Sequence, residues 1–223
     1  MKKPEEYRLK DHNMTKTTHQ YSSSDPALFE KRRGSREVGS RLHSNNNNAV
    51  DILKSGGIVI FPTDTVYGIG CRFDDQKAIA RLYQIKGTPQ NQPFPILVSN
   101  INQVKKLATI TKIGQILIDK YWPGALTIIL PTFVKGQKIG FRMPKSDLVK
   151  SLIDQIGIPI IGTSANFRGQ KAVKNYQELD PKIIKLADLV IKGECKKGIE
   201  STVVDATFDP PKILRQGAVT LII

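Results

Sequence analysis

Histidine is nearly absent from this chain. His12, His19 and His43 are the only ones, and residues 49–223 contain none. That gap excludes from residues 49–223 a Ser-His-Asp triad, an H-E-x-x-H zinc site, a two-histidine metal site and any acid–base step by imidazole. Cysteine is scarce too. Cys71 and Cys195 stand far apart without metal-ligand or redox spacing, which excludes a disulfide-rich scaffold and predicts a cytoplasmic setting. No apolar run approaches the roughly 20 residues of a membrane-spanning helix. The acids Glu5, Glu6 and Asp11 sit where a secretory signal would be apolar, so no membrane partner is expected. The phosphate-binding pattern G-x-x-x-x-G-K-[ST] is missing, and Gly68-Ile69-Gly70 lacks the third glycine of the dinucleotide fingerprint. A bound nucleotide therefore needs another frame.

Positive charge is what the chain has in excess. It carries 34 Lys+Arg against 20 Asp+Glu, a formal net charge of +14 over 223 residues. Such a balance suits an anionic partner, whether nucleic acid, nucleotide phosphates or an acidic membrane face, or simply a solvating surface. Residues 1–48 hold 10 Lys+Arg and 6 Asp+Glu, and residues 49–223 hold 24 and 14, so most of the excess belongs to the second part. The first part is polar, lacks apolar periodicity and ends in Ser44-Asn45-Asn46-Asn47-Asn48. It reads as a flexible basic N-terminal extension with at most a short helix. Its cluster Lys31-Arg32-Arg33, with Arg36 and Arg41, could touch RNA, although a solvated arm is the plainer reading.

Residues 49–223 show no internal repeat and no break in composition, which predicts one domain. Ala49–Ser55 reads as a short helix stopped by Gly56-Gly57. Ile58–Phe61 is a continuous apolar run, as in a strand buried on both faces. Ala78, Ile79, Leu82 and Ile85 share one helical face, with Asp74 or Asp75 as the cap and Lys86-Gly87 as the end. Asn100 and Thr111 are N-cap candidates for two more helices, and Leu148–Ile156 is a further one. Helical turns are expected around Tyr176–Leu186. Strands are expected at Ile96–Val98, Ala125–Leu130, Ile139–Arg142, Ile158–Ile161, Leu189–Ile191, Thr202–Val204 and Ile213-Leu214, and a polar loop over Thr163–Gln170. The alternation predicts an α/β domain with a twisted, mixed sheet.

Polar residues gather where these strands end: Thr63-Asp64-Thr65, Arg142-Met143-Pro144, Thr163-Ser164-Ala165-Asn166, Glu200-Ser201-Thr202 and Arg215-Gln216-Gly217. Strand ends are where open α/β sheets bind ligands. If they converge, Lys86, Arg142 and Arg215 form a basic cleft for a polyanion and a small polar molecule. Taken singly, each has a structural explanation: Thr63 and Thr65 could hold a turn that Asp64 caps, Ser164 and Asn166 could form Asx or ST turns, and Arg215 could pair with Asp205.

The stretches Gly56–Gly70, Tyr121–Thr127, Arg142–Pro144, Thr163–Asn166, Gly198–Asp205 and Leu214–Ala218 resemble the YrdC-type (TsaC-like) threonylcarbamoyl-AMP synthases, in family order over roughly residues 49–220. The resemblance implies a YrdC-like α/β catalytic domain over 49–223, a short form without a further domain. It implies a nucleotidyltransferase that makes threonylcarbamoyl-adenylate and pyrophosphate from L-threonine, bicarbonate or CO2, and ATP. A downstream threonylcarbamoyl-transferase complex would then modify adenosine 37 of tRNAs reading codons that start with A, with tRNA contact left open. ATP would bring Mg2+ on its triphosphate, with no tightly bound metal site in the protein. By the same resemblance Lys86, Ser164 and Asn166 are catalytic, and Lys86, Lys138, Ser164, Asn166 and Arg215 bind ATP. Thr65, Arg142 and Ser201 bind threonine. Thr88 stands where the family's K-x-R motif has arginine, and Gln92 where it has asparagine, both at ATP-contacting positions. Arg72, Arg81 or a cation of the extension could replace the missing arginine. The competing readings are a divergent, non-catalytic YrdC-like RNA-binding protein and a Ser-Lys hydrolase using Ser164 and Lys86.

Overall fold

The computed structural model describes residues 41–222, with side chains from residue 48 onward. His12, His19 and most of the expected extension lie outside the described residues. Helix α1 spans Arg41–Lys54 and so runs through the whole asparagine run, beginning earlier than the Ala49 start expected from sequence. Extending a helix already nucleated at Ala49–Lys54 costs far less than starting one, and asparagine opposes it by at most about 0.7 kcal/mol per residue.

Nine strands form one mixed sheet among the described residues: β1 (Val59–Phe61), β2 (Gly68–Arg72), β3 (Ile96–Leu97), β4 (Leu126–Pro131), β5 (Lys138–Arg142), β6 (Ile160–Ser164), β7 (Leu189–Val190), β8 (Thr202–Asp205) and β9 (Lys212–Arg215). Their order is β7-β1-β2-β6-β3-β5-β4-β8-β9. The pairs β1/β7, β3/β5 and β4/β8 are parallel and the others antiparallel. The helices are α2 (Gln76–Lys86), α3 (Ile101–Lys105), α4 (Lys112–Tyr121), α5 (Asp147–Ile156) and α6 (Pro181–Leu186).

Alternation along β1 shows how the sheet is covered. Ile60 joins Ala78, Leu82 and Ile85 of α2 on one face, while Val59 and Phe61 join Leu53 of α1 and Leu152 of α5 on the other. Both faces are therefore dry, as the unbroken apolar run required. A third cluster packs Leu117 and Ile118 of α4 on Leu126, Ile128 and Leu130 of β4.

Local signals place the elements that carry the site. The Asp75 carboxylate caps α2 by accepting from the Lys77 and Ala78 N–H groups at 3.0 Å. Gly87 ends it in the left-handed region at φ 58°. The side chains of Asn100 and Thr111 cap α3 and α4 as expected. Strand β2 was not legible, because Gly68-Ile69-Gly70 carries little strand propensity. It stands because β1 and β6 pair with it on both sides, and at Gly70 the approach is so close that a Cβ would lie 2.3 Å from the Ile161 carbonyl oxygen. Strand β6 in turn runs on through Thr163 and Ser164, residues expected in a loop.

Candidate active site

A cleft of about 880 Å3 crosses one face of the sheet. Its floor includes Gly68, Gly140 and Gly162, which bring backbone rather than side chains to the surface. Thr65, Gln92, Lys138, Arg142, Ser164, Ser201 and Arg215 all line it, so seven of the residues singled out from sequence converge.

Arg142 ends β5 and is 7% exposed. Its Nε donates to the Gly124 carbonyl at 3.0 Å, Nη1 to Thr65 Oγ1 at 2.9 Å and Nη2 to Asp64 Oδ1 at 2.5 Å. Burial lowers its affinity for the proton, Asp64 opposes that, and the nearby Arg215 adds to it. Proton direction in the adjoining turn can be deduced. Thr63 Oγ1 donates to the Val66 carbonyl at 2.8 Å, so in its 3.0 Å contact with Thr65 Oγ1 it must accept. The Thr65 hydroxyl thus receives from Arg142 and gives to Thr63. Asp64 Oδ2 is buried with no partner.

The second wall comes from β4, β8 and β9. Ser201 Oγ lies 2.9 Å from Thr127 Oγ1. Arg215 Nη2 donates to the Ser201 carbonyl at 2.8 Å and to its Oγ at 3.2 Å. Arg215 pairs with Glu200 at 3.1 Å rather than with Asp205, whose carboxylate takes Lys138 at 2.5 Å. The cause is a register shift between Val203 and Val204, which sets Arg215 opposite Val203 and so beside Ser201. Burial alone would raise the Asp205 carboxyl, but the Lys138 and Thr207 hydrogen bonds outweigh it and hold the group below the usual range.

Lys86, Asn166 and Thr88 are not on the cleft lining. Lys86 is 4% exposed, and its ammonium donates to the Ser164 carbonyl at 2.6 Å, to the Asn166 carbonyl, and to Asn166 Oδ1 at 3.4 Å. All three of its donors thus hold the turn after β6 from behind. Burial pushes the amine down to about 8, with Glu200 pulling the other way. Asn166 Nδ2 donates to the Gln170 carbonyl at 2.6 Å, closing the same turn. The Thr88 N–H bonds the Tyr83 carbonyl at 3.3 Å beyond the end of α2. Arg72 and Arg81 do not reach the cleft, since Arg72 pairs with Asp74 at 2.9 Å and Arg81 with Asp188 at 2.5 Å, and the cationic side chains of the extension lie outside the described residues.

Tyr67 ties the polar segments together. Its N–H bonds the Val173 carbonyl at 2.8 Å, its carbonyl accepts from Ala165 at 2.8 Å, and its hydroxyl both accepts from the Gly193 N–H and donates to the Gly193 carbonyl. Burial pushes the phenol up to about 12. Burial also raises Cys71 to about 12 and Cys195 to about 11, which leaves both as thiols at neutral pH. Among the described residues no three His, Cys, Asp or Glu side chains gather into a metal cage, and no helix is long and apolar enough to cross a membrane.

From sequence, Asp64 is only a polar residue at a strand end or in a turn, and Thr127 only part of a family-like stretch, neither with a partner. Only the contact across 78 residues reveals the first, and only the pairing of β4 with β8 reveals the second.

The Sua5/YciO/YrdC family model, described as "Telomere recombination", matches residues 51–217. The threonylcarbamoyl-AMP synthase of Pyrococcus abyssi is 32% identical over 183 residues, covering 78% of this chain and 54% of its own. The chain thus spans about half the length of that relative. The crystal structure of P. abyssi Sua5 complexed with L-threonine is 30% identical with a TM-score of 0.70, over 77% of this chain and 54% of that one. Escherichia coli YciO, uncharacterized in function, also matches with a TM-score of 0.70 at 27% identity, over 77% of this chain and 88% of its own.

Proposed function

This chain belongs to the Sua5/YciO/YrdC family, and from that premise we propose that it is a nucleotidyltransferase joining L-threonine, bicarbonate-derived CO2 and ATP into L-threonylcarbamoyl-AMP and pyrophosphate. The observation that carries the reading is Arg142. It is a buried guanidinium opening into a cleft large enough for a nucleotide, with three of its five donors used and one N–H left on each terminal nitrogen. That fork suits a carboxylate. Thr65 and the Ser201–Thr127 hydroxyl pair stand beside it for the polar ends of threonine. Arg215, Lys138, Ser164 and Gln92 line the part left for ATP.

The chemistry needs no imidazole. The threonine amine forms a C–N bond to CO2 and loses a proton. A carbamate oxygen then bonds to the α-phosphorus as the bond to the β-phosphate oxygen breaks and pyrophosphate leaves. Aligning the two reactants and balancing phosphate charge is most of the task. Lys86 supplies positive charge behind Ser164, and Asn166 shapes the turn that meets the phosphates. Thr88 contributes no charge at its position. Magnesium would arrive on the triphosphate and add its charge there. The adenylate, an activated mixed anhydride, would pass to a transferase acting on tRNA.

The test is pyrophosphate release by the purified protein with ATP, magnesium, bicarbonate and labelled L-threonine. Threonine-dependent release of pyrophosphate and a labelled adenylate is expected. Folded protein that releases none, yet binds RNA with a steep salt dependence, would replace this reading with the non-catalytic one.

A pH profile follows from Lys86. Below about 8 its amine is charged, and above that value the charge is lost. With threonine and bicarbonate saturating, kcat/KM for ATP should be level below about pH 8 and fall about tenfold per pH unit above it. A profile still rising through pH 9 would remove Lys86 from the reaction.

A further inference from the structure

The unpartnered Asp64 Oδ2 needs an explanation. Buried carboxylate oxygens normally accept hydrogen bonds, and the exceptions cluster where function holds them. The Asp64 side chain is 5% exposed and that of Arg142 9%. An aspartate facing an arginine in such isolation would ordinarily close a two-pronged pair, satisfying both oxygens with two N–H donors. Here only Oδ1 is engaged, by Nη2. Thr65 holds Nη1 and the Gly124 carbonyl holds Nε, so the guanidinium is fixed from three directions. A two-pronged pair would use up one of the two N–H groups that remain. The empty Oδ2 and the open donors of Arg142 are therefore two sides of one arrangement.

We infer that Asp64 is a positioning residue for substrate recognition: by holding Arg142 through a single oxygen, it fixes the guanidinium while leaving an N–H on each terminal nitrogen for the substrate carboxylate. The inference rests on the reading of the cleft as an amino-acid site and names the residue that sets its preference for a carboxylate. Asp64 is not on the cleft lining, so it acts through Arg142 and not on the ligand. Its charge also leaves the empty pair neutral, and a bound carboxylate makes it net anionic. Arg215 also acts electrostatically on Arg142, with Glu200 paired to it at 3.1 Å.

The probes are L-threonine and L-threoninamide, which lacks the carboxylate, each titrated calorimetrically into the whole protein. The unaltered protein should bind threonine more tightly than the amide. Asp64→Asn should weaken threonine about ten- to hundredfold, the scale of a charged hydrogen bond, and leave threoninamide within about twofold. In turnover, KM for threonine should rise while kcat and KM for ATP hold. Equal loss of both probes would show a merely structural role, and unchanged threonine binding would show none; either overturns the inference. An unaltered protein that binds neither probe would overturn the functional reading itself. If Asp64→Asn does not fold, Asp64→Glu keeps the charge but shifts the carboxylate by one methylene. The threonine-to-threoninamide ratio should then fall about threefold or more, and an unchanged ratio overturns the inference.

Discussion

Lys86→Met is expected to lower kcat/KM for ATP by about 10²–10³, the cost of removing one group that stabilises charge in a transition state. The same change withdraws three donors from the Ser164 and Asn166 oxygens, so the turn that carries Ser164 into the cleft loses its support. Stability should change less than activity. An unsatisfied carbonyl costs about 1–3 kcal/mol, but a desolvated ammonium is removed at the same time. Lys86→Arg should not restore function, because a planar fork cannot occupy a site shaped for a compact ammonium and its three acceptors. Threonine-dependent pyrophosphate release, measured beside thermal unfolding, checks both halves. Activity within tenfold of the unaltered protein would show that Lys86 only braces the turn.

Arg142→Leu should produce the largest combined loss. Threonine binding should fall by at least about a hundredfold, since the carboxylate loses a two-donor partner. Stability should fall by about 3–5 kcal/mol, because Asp64 is left buried without its cation. Adding Asp64→Leu should restore most of the stability and none of the binding. Urea unfolding, read beside threonine titration, separates the two effects. An Arg142→Leu protein as stable as the parent would mean that the ion pair contributes little to the fold.

The sequence showed most clearly what is settled within a few residues. The caps Asp75, Asn100 and Thr111 and the stop at Gly87 act over one turn, and each lies where the local pattern placed it. Strand β1 was equally readable, because burial on both faces demands an unbroken apolar run. Strand β2 was not, since Gly70 has meaning only against the backbone of β6 and Gly68 only against the Phe61 ring of β1. In the cleft, the residue types at strand ends predicted a polar, cationic surface, and seven expected residues meet there. Pairing was beyond reach. Asp205 was one partner open to Arg215, but a bulge in the β8–β9 ladder sends it to Glu200. Lys86, at the end of an amphipathic helix, resembles any solvated cation until its three backbone and side-chain acceptors are in place. Asp64 and Arg142 are too far apart in the chain for any spacing rule to join them.

The hydrogen bonds of Tyr67 have one further consequence. A single residue bridges the 165–173 segment, through Ala165 and Val173, and the 191–198 segment, through Gly193. Neither segment can open alone without stranding a polar group of Tyr67 in the interior, so the two should exchange their amide protons together, as one unit of local unfolding. The ordering entropy of both is then spent when the chain folds, and an arriving ligand need not supply it again.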